Sequence, residues 1–90
     1  MTEEKELLWD SKAKAKYDKM LSLIPLFHRE ITRQVVDKQA LLNARLRGSS
    51  NVSEEDIVRA FLSEVPKAFY SMMIRLMNDV GFDYEKYEGK

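Results

Sequence analysis

Apolar residues recur along this chain at helical intervals, and the longest such stretch runs from Ile24 to Leu46. Phe27, Ile31, Val35, Leu42 and Leu46 fall at multiples of about 3.5 residues, with Val36, Ala40 and Leu41 widening the stripe, while Arg29, Glu30, Arg33, Asp37 and Lys38 face elsewhere. Pro25 suits a first helical position, because its φ is fixed and the missing N–H would be unpaired there anyway, and Gly48 lies where a left-handed cap is easy. The pattern predicts a central helix of roughly 30 Å with its stripe turned to the core, on which everything else packs.

Shorter periodic stretches flank it. Residues 1–8 read as a flexible N-terminal segment, after which Trp9 should dock on the core and Asp10 or Ser11 should start a helix that runs to about Ser22. Ala13, Tyr17, Met20, Leu21 and Ile24 share one face of that helix, and Lys12, Lys14, Lys16 and Lys19 surround the remainder. Beyond the central helix, Gly48-Ser49-Ser50-Asn51 reads as a loop, with Val52 open to a brief extended pairing. Ser53 then reads as an N-cap with Asp56 three residues on, a carboxylate form of the capping box, followed by Ile57, Val58, Phe61, Leu62 and Val65 facing inward. Pro66 ends this third helix.

The stretch from Lys67 to Val80 differs in kind. Phe69, Met72, Met73 and Met77 stand among further apolar residues around most of a predicted fourth helix, which leaves only a narrow polar stripe. Such a helix is expected to be covered on more than one side, by a second copy, by another protein or by a flat apolar ligand. Gly81 caps it, and the residues leave open whether the tail 82–90, with Phe82, Tyr84 and Tyr87, folds back or stays mobile. The predicted architecture is all-α: one helical domain over residues 9–81, four helices with one long central member, and a short extended segment near Val52.

Charge changes this picture little. Lysine and arginine balance aspartate and glutamate at fifteen each, but the segment 21–47 is basic and the segment 48–66 is acidic. Solvated or mutually paired faces explain this, and a basic surface for nucleic acid is the less favoured alternative. Cysteine is absent, so there is no disulfide, thiolate metal site or thiol nucleophile. No apolar run approaches the roughly 20 residues of a membrane span, and the N-terminus has no signal-peptide core, so a cytoplasmic protein is expected.

Candidate chemistry is sparse. His28 is the single histidine, no serine lies in a nucleophile-elbow pattern, and the three glycines form no phosphate-cradling loop. Glu54, Glu55 and Asp56 complement the positive end of a helix dipole and are not interleaved with glycines as hard-cation ligands would be. No catalytic, cofactor-binding or metal-ligating residue is assigned, and the chain is read as non-catalytic by itself.

The run Leu21-x-x-Ile24-Pro25-x-Phe27-x-Arg29-x-x-x-Arg33-x-x-x-Asp37-x-x-Ala40, followed by Val52-Ser53-x-Glu55 and Ala60, resembles the small C-terminal domain of the B subunit of light-independent protochlorophyllide reductase. An upstream tryptophan belongs to the same pattern, and Trp9 fills that place one turn further from Ile24; the resemblance spans Trp9 to Ala60. In that family the domain is an appendage, with the reduction carried out by the body of the subunit. The resemblance therefore implies a helper module without catalytic residues, an accessory part of a reductase, packed against a partner or beside a tetrapyrrole.

Arg29 is the best-placed cation for an external carboxylate, while Arg33 is one turn from Asp37 and can pair with it; both could instead hold carbonyls or acids of neighbouring helices. The function expected is a helical interaction module that engages a protein partner, a second copy or a tetrapyrrole. Arg29, Arg33, Phe69, Met72, Met73 and Met77 are its candidate contact residues. The rival is a small histone-like nucleic-acid-binding protein, in which Arg29, Arg33, Arg45 and Arg47 touch phosphates.

Overall fold

A computed structural model describes residues 8–87, so most of the segment 1–8 and the last three residues of the tail lie outside the described residues. Strand β1 (Leu8–Trp9) leads into α1 (Ser11–Leu23) and α2 (Leu26–Leu46); β2 (Asn51–Val52), α3 (Glu54–Glu64), a 3-10 turn (Lys67–Phe69), α4 (Tyr70–Val80) and the single turn α5 (Tyr84–Tyr87) follow. The chain is an all-α bundle with one long helix. Its extended pairing near Val52 is a parallel two-stranded sheet in which Leu8 stands opposite Asn51 and Trp9 opposite Val52.

The helix ends follow from local chemistry. The Asp10 carboxylate accepts the Ala13 N–H at 3.0 Å and starts α1. Pro25 holds Ile24 in an extended conformation and so separates α1 from α2. Gly48, at φ 74°, turns the chain out of α2, and the Ser49 N–H reaches back to the Ala44 carbonyl at 2.9 Å. At α3 the Ser53 N–H donates to the Asp56 carboxylate at 2.9 Å, the capping box expected from the spacing. The segment after Pro66 departs from expectation: residues 67–69 form a tighter 3-10 turn, so the α-helix proper begins at Tyr70.

Tyr17 organises the core. Its ring stacks on Trp9 with centroids 5.8 Å apart and meets Phe61 edge-on at the same distance. Met20, Ile24, Ile57, Val58 and Met77 complete the buried cluster. The tail folds back as far as it is described: Phe82 is buried, and Tyr84 and Tyr87 pack against the core. Polar ties hold it there. Glu54 accepts the Asp83 N–H at 3.0 Å and pairs with Lys16 at 3.2 Å, and Lys16 also donates to the Gly81 carbonyl at 3.1 Å.

One expectation is overturned. Of the predicted stripe, only Val36, Ala40 and Leu41 face the core; Phe27, Ile31, Val35, Leu42 and Leu46 are all exposed, Phe27 at 82% and Leu46 at 75%. The buried face of α2 is instead the row Val36, Ala40 and Ala44, on the opposite side of the helix. The physical reason is size. A row of small residues at i, i+4 and i+8 lets α3 lie close against α2, its most extensive packing partner, while the large side chains of the core come from α1, α3, α4 and Phe82.

Candidate functional site

The outward face of α2 is the largest feature of the surface that burial leaves unexplained. Phe27 and Ile31 are more than half exposed near its start, Val35 and Leu42 are partly exposed along it, and Leu46 is exposed at its end. Single exposed apolar residues are unremarkable in any protein; five large ones along one face of a helix, broken only by the exposed Lys38, are not.

Beside the first half of this row lies a groove of about 260 Å³, bounded by α2 on one side and by the end of α3 and the start of α4 on the other. Ile31 and Val35 form one wall, Val65 and Pro66 the far end, and Phe69 and Met72 the opposite wall. The lining is mostly apolar. His28 sits at its edge in contact with two rings, Phe27 at 4.2 Å and Phe69 at 5.3 Å between centroids. The two prolines shape the groove: Pro25 sets the angle at which α2 leaves α1, and Pro66 turns the chain from α3 so that Phe69 faces back toward α2.

The six candidate contact residues fall in different places. Phe69, Met72 and Met73 line the groove, Met73 from beneath it because its side chain is buried. Met77 is fully buried in the core, one turn beyond Met73 on the inner face of α4. Arg29 reaches back to the end of α1: its guanidinium donates to the Ser22 carbonyl at 3.0 Å and to the Ile24 carbonyl at 2.9 Å, filling acceptors that the helix end leaves open. Arg33 donates to Glu30 at 2.6 Å and lies 3.7 Å from Asp37. The Arg33 hydrogen bond holds the Glu30 carboxyl below its ordinary value, and the same bond raises Arg33.

Asp37 is shared. It also accepts the Tyr17 hydroxyl at 2.6 Å, and burial, followed by this bond to a carboxylate, pushes the Tyr17 phenol far above its ordinary range. Arg47 clasps the buried Asp56 through two donors, at 2.8 Å and 2.7 Å, which raises the Arg47 pKa further. Three of the four arginines of the predicted basic face are therefore engaged within the fold. These networks are structural: they join helix ends and faces, and none opens on the groove.

Among the described residues no group of three histidine, cysteine or acidic side chains is placed to hold a metal, and no helix is long and apolar enough to cross a membrane. The residues missed from the sequence are Phe27, Ile31, Val35, Leu42 and Leu46 as an outward surface, and His28 as part of the groove's edge. A signal for the first was present in the row Val36, Ala40 and Ala44, a second face suited to close packing. Comparison with protein-family models, with curated proteins and with solved structures finds no match for this chain.

Proposed function

We propose that this chain is a non-catalytic helical interaction module whose contact surface is the outer face of α2 together with the groove between α2 and α4. The observation that carries this reading is the exposed row of large apolar side chains from Phe27 to Leu46. Phe27 and Leu46 leave most of their surface in water, and covering the row would release its exposed apolar surface at about 25 cal/mol per Å².

A protein surface suits the row better than a tetrapyrrole does. The row is long, narrow and helical, the shape that receives another helix. Arg29, the cation best placed by sequence for a propionate, spends its donors on the α1 carbonyls. The tetrapyrrole role implied by the family resemblance, and with it a place beside a reductase, is thus a weaker form of the same proposal. Nucleic-acid binding is weaker still, because Arg29, Arg33 and Arg47 already have partners within the chain.

The test places a photoreactive residue at Ile31 in the intact protein, in its native host, with Lys12 on the solvent face of α1 as the control position. Protein adducts are expected at position 31, absent at position 12 and lost when Phe27→Glu and Leu46→Glu are added. Equal adduct yields at both positions, or none at 31, would sink the contact-surface reading.

A further inference from the structure

We infer that the outer face of α2 is a two-fold interface between two copies of this chain, with their α2 helices packed antiparallel. The inference rests on the contact-surface reading above and adds the occupant and its orientation.

The first observation is the spacing. Phe27, Ile31, Val35, Lys38, Leu42 and Leu46 follow one another along the outer face at steps of four, four, three, four and four residues. The series is the same read in either direction. Two such helices related by a two-fold axis beside the midpoint of α2 set Phe27 against the partner's Leu46, Ile31 against the partner's Leu42, and Val35 against the partner's Lys38, whose methylene stem can cover it while the ammonium reaches solvent. Every apolar side chain of the row then has a partner.

The second observation is shape. The groove lies beside the first half of α2, at Ile31, Val35 and Phe69, and the most exposed large apolar side chain of the second half is Leu46. An antiparallel arrangement lays the projecting half of each copy along the grooved half of the other, twice over. A parallel arrangement would set groove against groove and Leu46 against the partner's Leu46.

Charge points the same way. Glu30 flanks the row near its start and Arg45 flanks it on the same side near its end. Antiparallel packing brings the partner's Arg45 to the side of the row where Glu30 already accepts from Arg33 and Gln34, and it sets the two helix dipoles head to tail, whereas parallel packing aligns them. The area is sufficient as well. The row exposes on the order of 600 Å² per copy, so complete pairing removes at most about 1,200 Å² in total, the lower edge of what stable specific interfaces bury.

The experiment uses the full chain and the fact that it contains no cysteine. Light scattering coupled to gel filtration, carried to about 1 mM, should show a species of twice the 10.6 kDa chain mass. Phe27→Glu with Leu46→Glu should weaken self-association at least about a hundredfold while circular dichroism stays unchanged. Orientation is read from Ile31→Cys and Leu42→Cys in a glutathione buffer. Mixed together they should form a 31–42 disulfide between chains. Either alone should not, since its two copies would lie about 16 Å apart along the helices, far beyond disulfide reach.

A monomer at the highest concentration overturns the inference, and so does a dimer in which Ile31→Cys links readily to itself. A monomer that still yields host-protein adducts at position 31 leaves the contact surface standing and removes only the second copy as its occupant. A monomer without adducts removes both.

Discussion

Replacing Tyr17 by phenylalanine removes one oxygen from the middle of the core and nothing else. The hydroxyl donates to the Asp37 carboxylate at 2.6 Å, while the ring keeps its contacts with Trp9 and Phe61 in either form. A hydrogen bond to a charged acceptor contributes about 1.5–3 kcal/mol. Asp37 is part-exposed, at 35% of its side chain, and can take up water and keep its contact with Arg33, so the lower end applies: Tyr17→Phe should cost about 1.5 kcal/mol at neutral pH. The pH dependence is sharper. Burial and the Asp37 carboxylate raise the folded-state phenol well above its ordinary value of 10.0. Above that pH the unfolded chain releases the Tyr17 proton and the folded chain keeps it, so stability falls as pH rises, by at most about 1.4 kcal/mol per pH unit from this group. Urea unfolding between pH 8 and 11.5, followed by circular dichroism, measures both effects. The native protein should lose stability steeply above pH 10, and Tyr17→Phe should remove one phenol's share of that slope. Absorbance of tyrosinate should show the Tyr17 signal appearing only on unfolding. A Tyr17 that titrates near pH 10 in the folded protein, or a variant with the native slope, would refute the reasoning.

Asp56→Ala removes the capping box of α3 and the carboxylate that Arg47 clasps, leaving Arg47 its bond to the Ser53 hydroxyl; because Arg47 is 36% exposed and can rehydrate, the loss should be about 3 kcal/mol, and a denaturation midpoint unchanged from the native protein would contradict it. Ala40→Leu forces extra methylenes between α2 and α3 and should cost 1–3 kcal/mol or more, whereas Phe27→Glu on the opposite face should stay within about 0.5 kcal/mol, both measured by urea unfolding at low protein concentration. If Phe27→Glu proves the more damaging of the two, the two faces of α2 have been assigned the wrong way round. Gly81→Ala should cost about 1–2 kcal/mol, because Gly81 has φ 93° and a Cβ there meets only the flexible Lys16 stem at 3.7 Å, so the cost is backbone strain alone; a thermal midpoint within a degree of native would count against it.

Much of the fold is legible in the residues, because its boundaries are set locally. Asp10, Pro25, Gly48, Ser53 with Asp56, Pro66 and Gly81 each act within four residues of their own position, and they fall at or beside the observed breaks. The pairing of Val52 with Trp9 is less so, since it depends on α1 and α2 bringing two distant segments together. Which face of α2 lies inward is not legible from periodicity, because apolar residues occupy both faces. Hydropathy favours Phe27, Ile31 and Leu46; packing favours Val36, Ala40 and Ala44, whose small side chains let two helices approach. Arg29 shows the same limit. Its place in the sequence marks an arginine one turn into a helix, and only the fold reveals that two α1 carbonyls lie within its reach.

The division of labour on α2 also bears on stability. A chain of ninety residues buries only a modest share of its unfolded surface, and this one leaves several of its larger apolar side chains outside. Turning Phe27, Ile31 and Leu46 inward would have enlarged the core, but they would have displaced Val36, Ala40 and Ala44 from the contact with α3 and pushed the two helices apart. The small residues of that contact share one buried cluster with Tyr17, Phe61 and Met77, from which the outer row is absent. The outer row is then free to contribute only when something covers it. Stability gained in that way depends on concentration: each tenfold excess of the covering surface over its dissociation constant adds about 1.4 kcal/mol. For a two-fold pair of α2 helices the covering surface is the protein itself, so the thermal midpoint rises with protein concentration in the native chain and stays fixed once Phe27 and Leu46 are both replaced by glutamate.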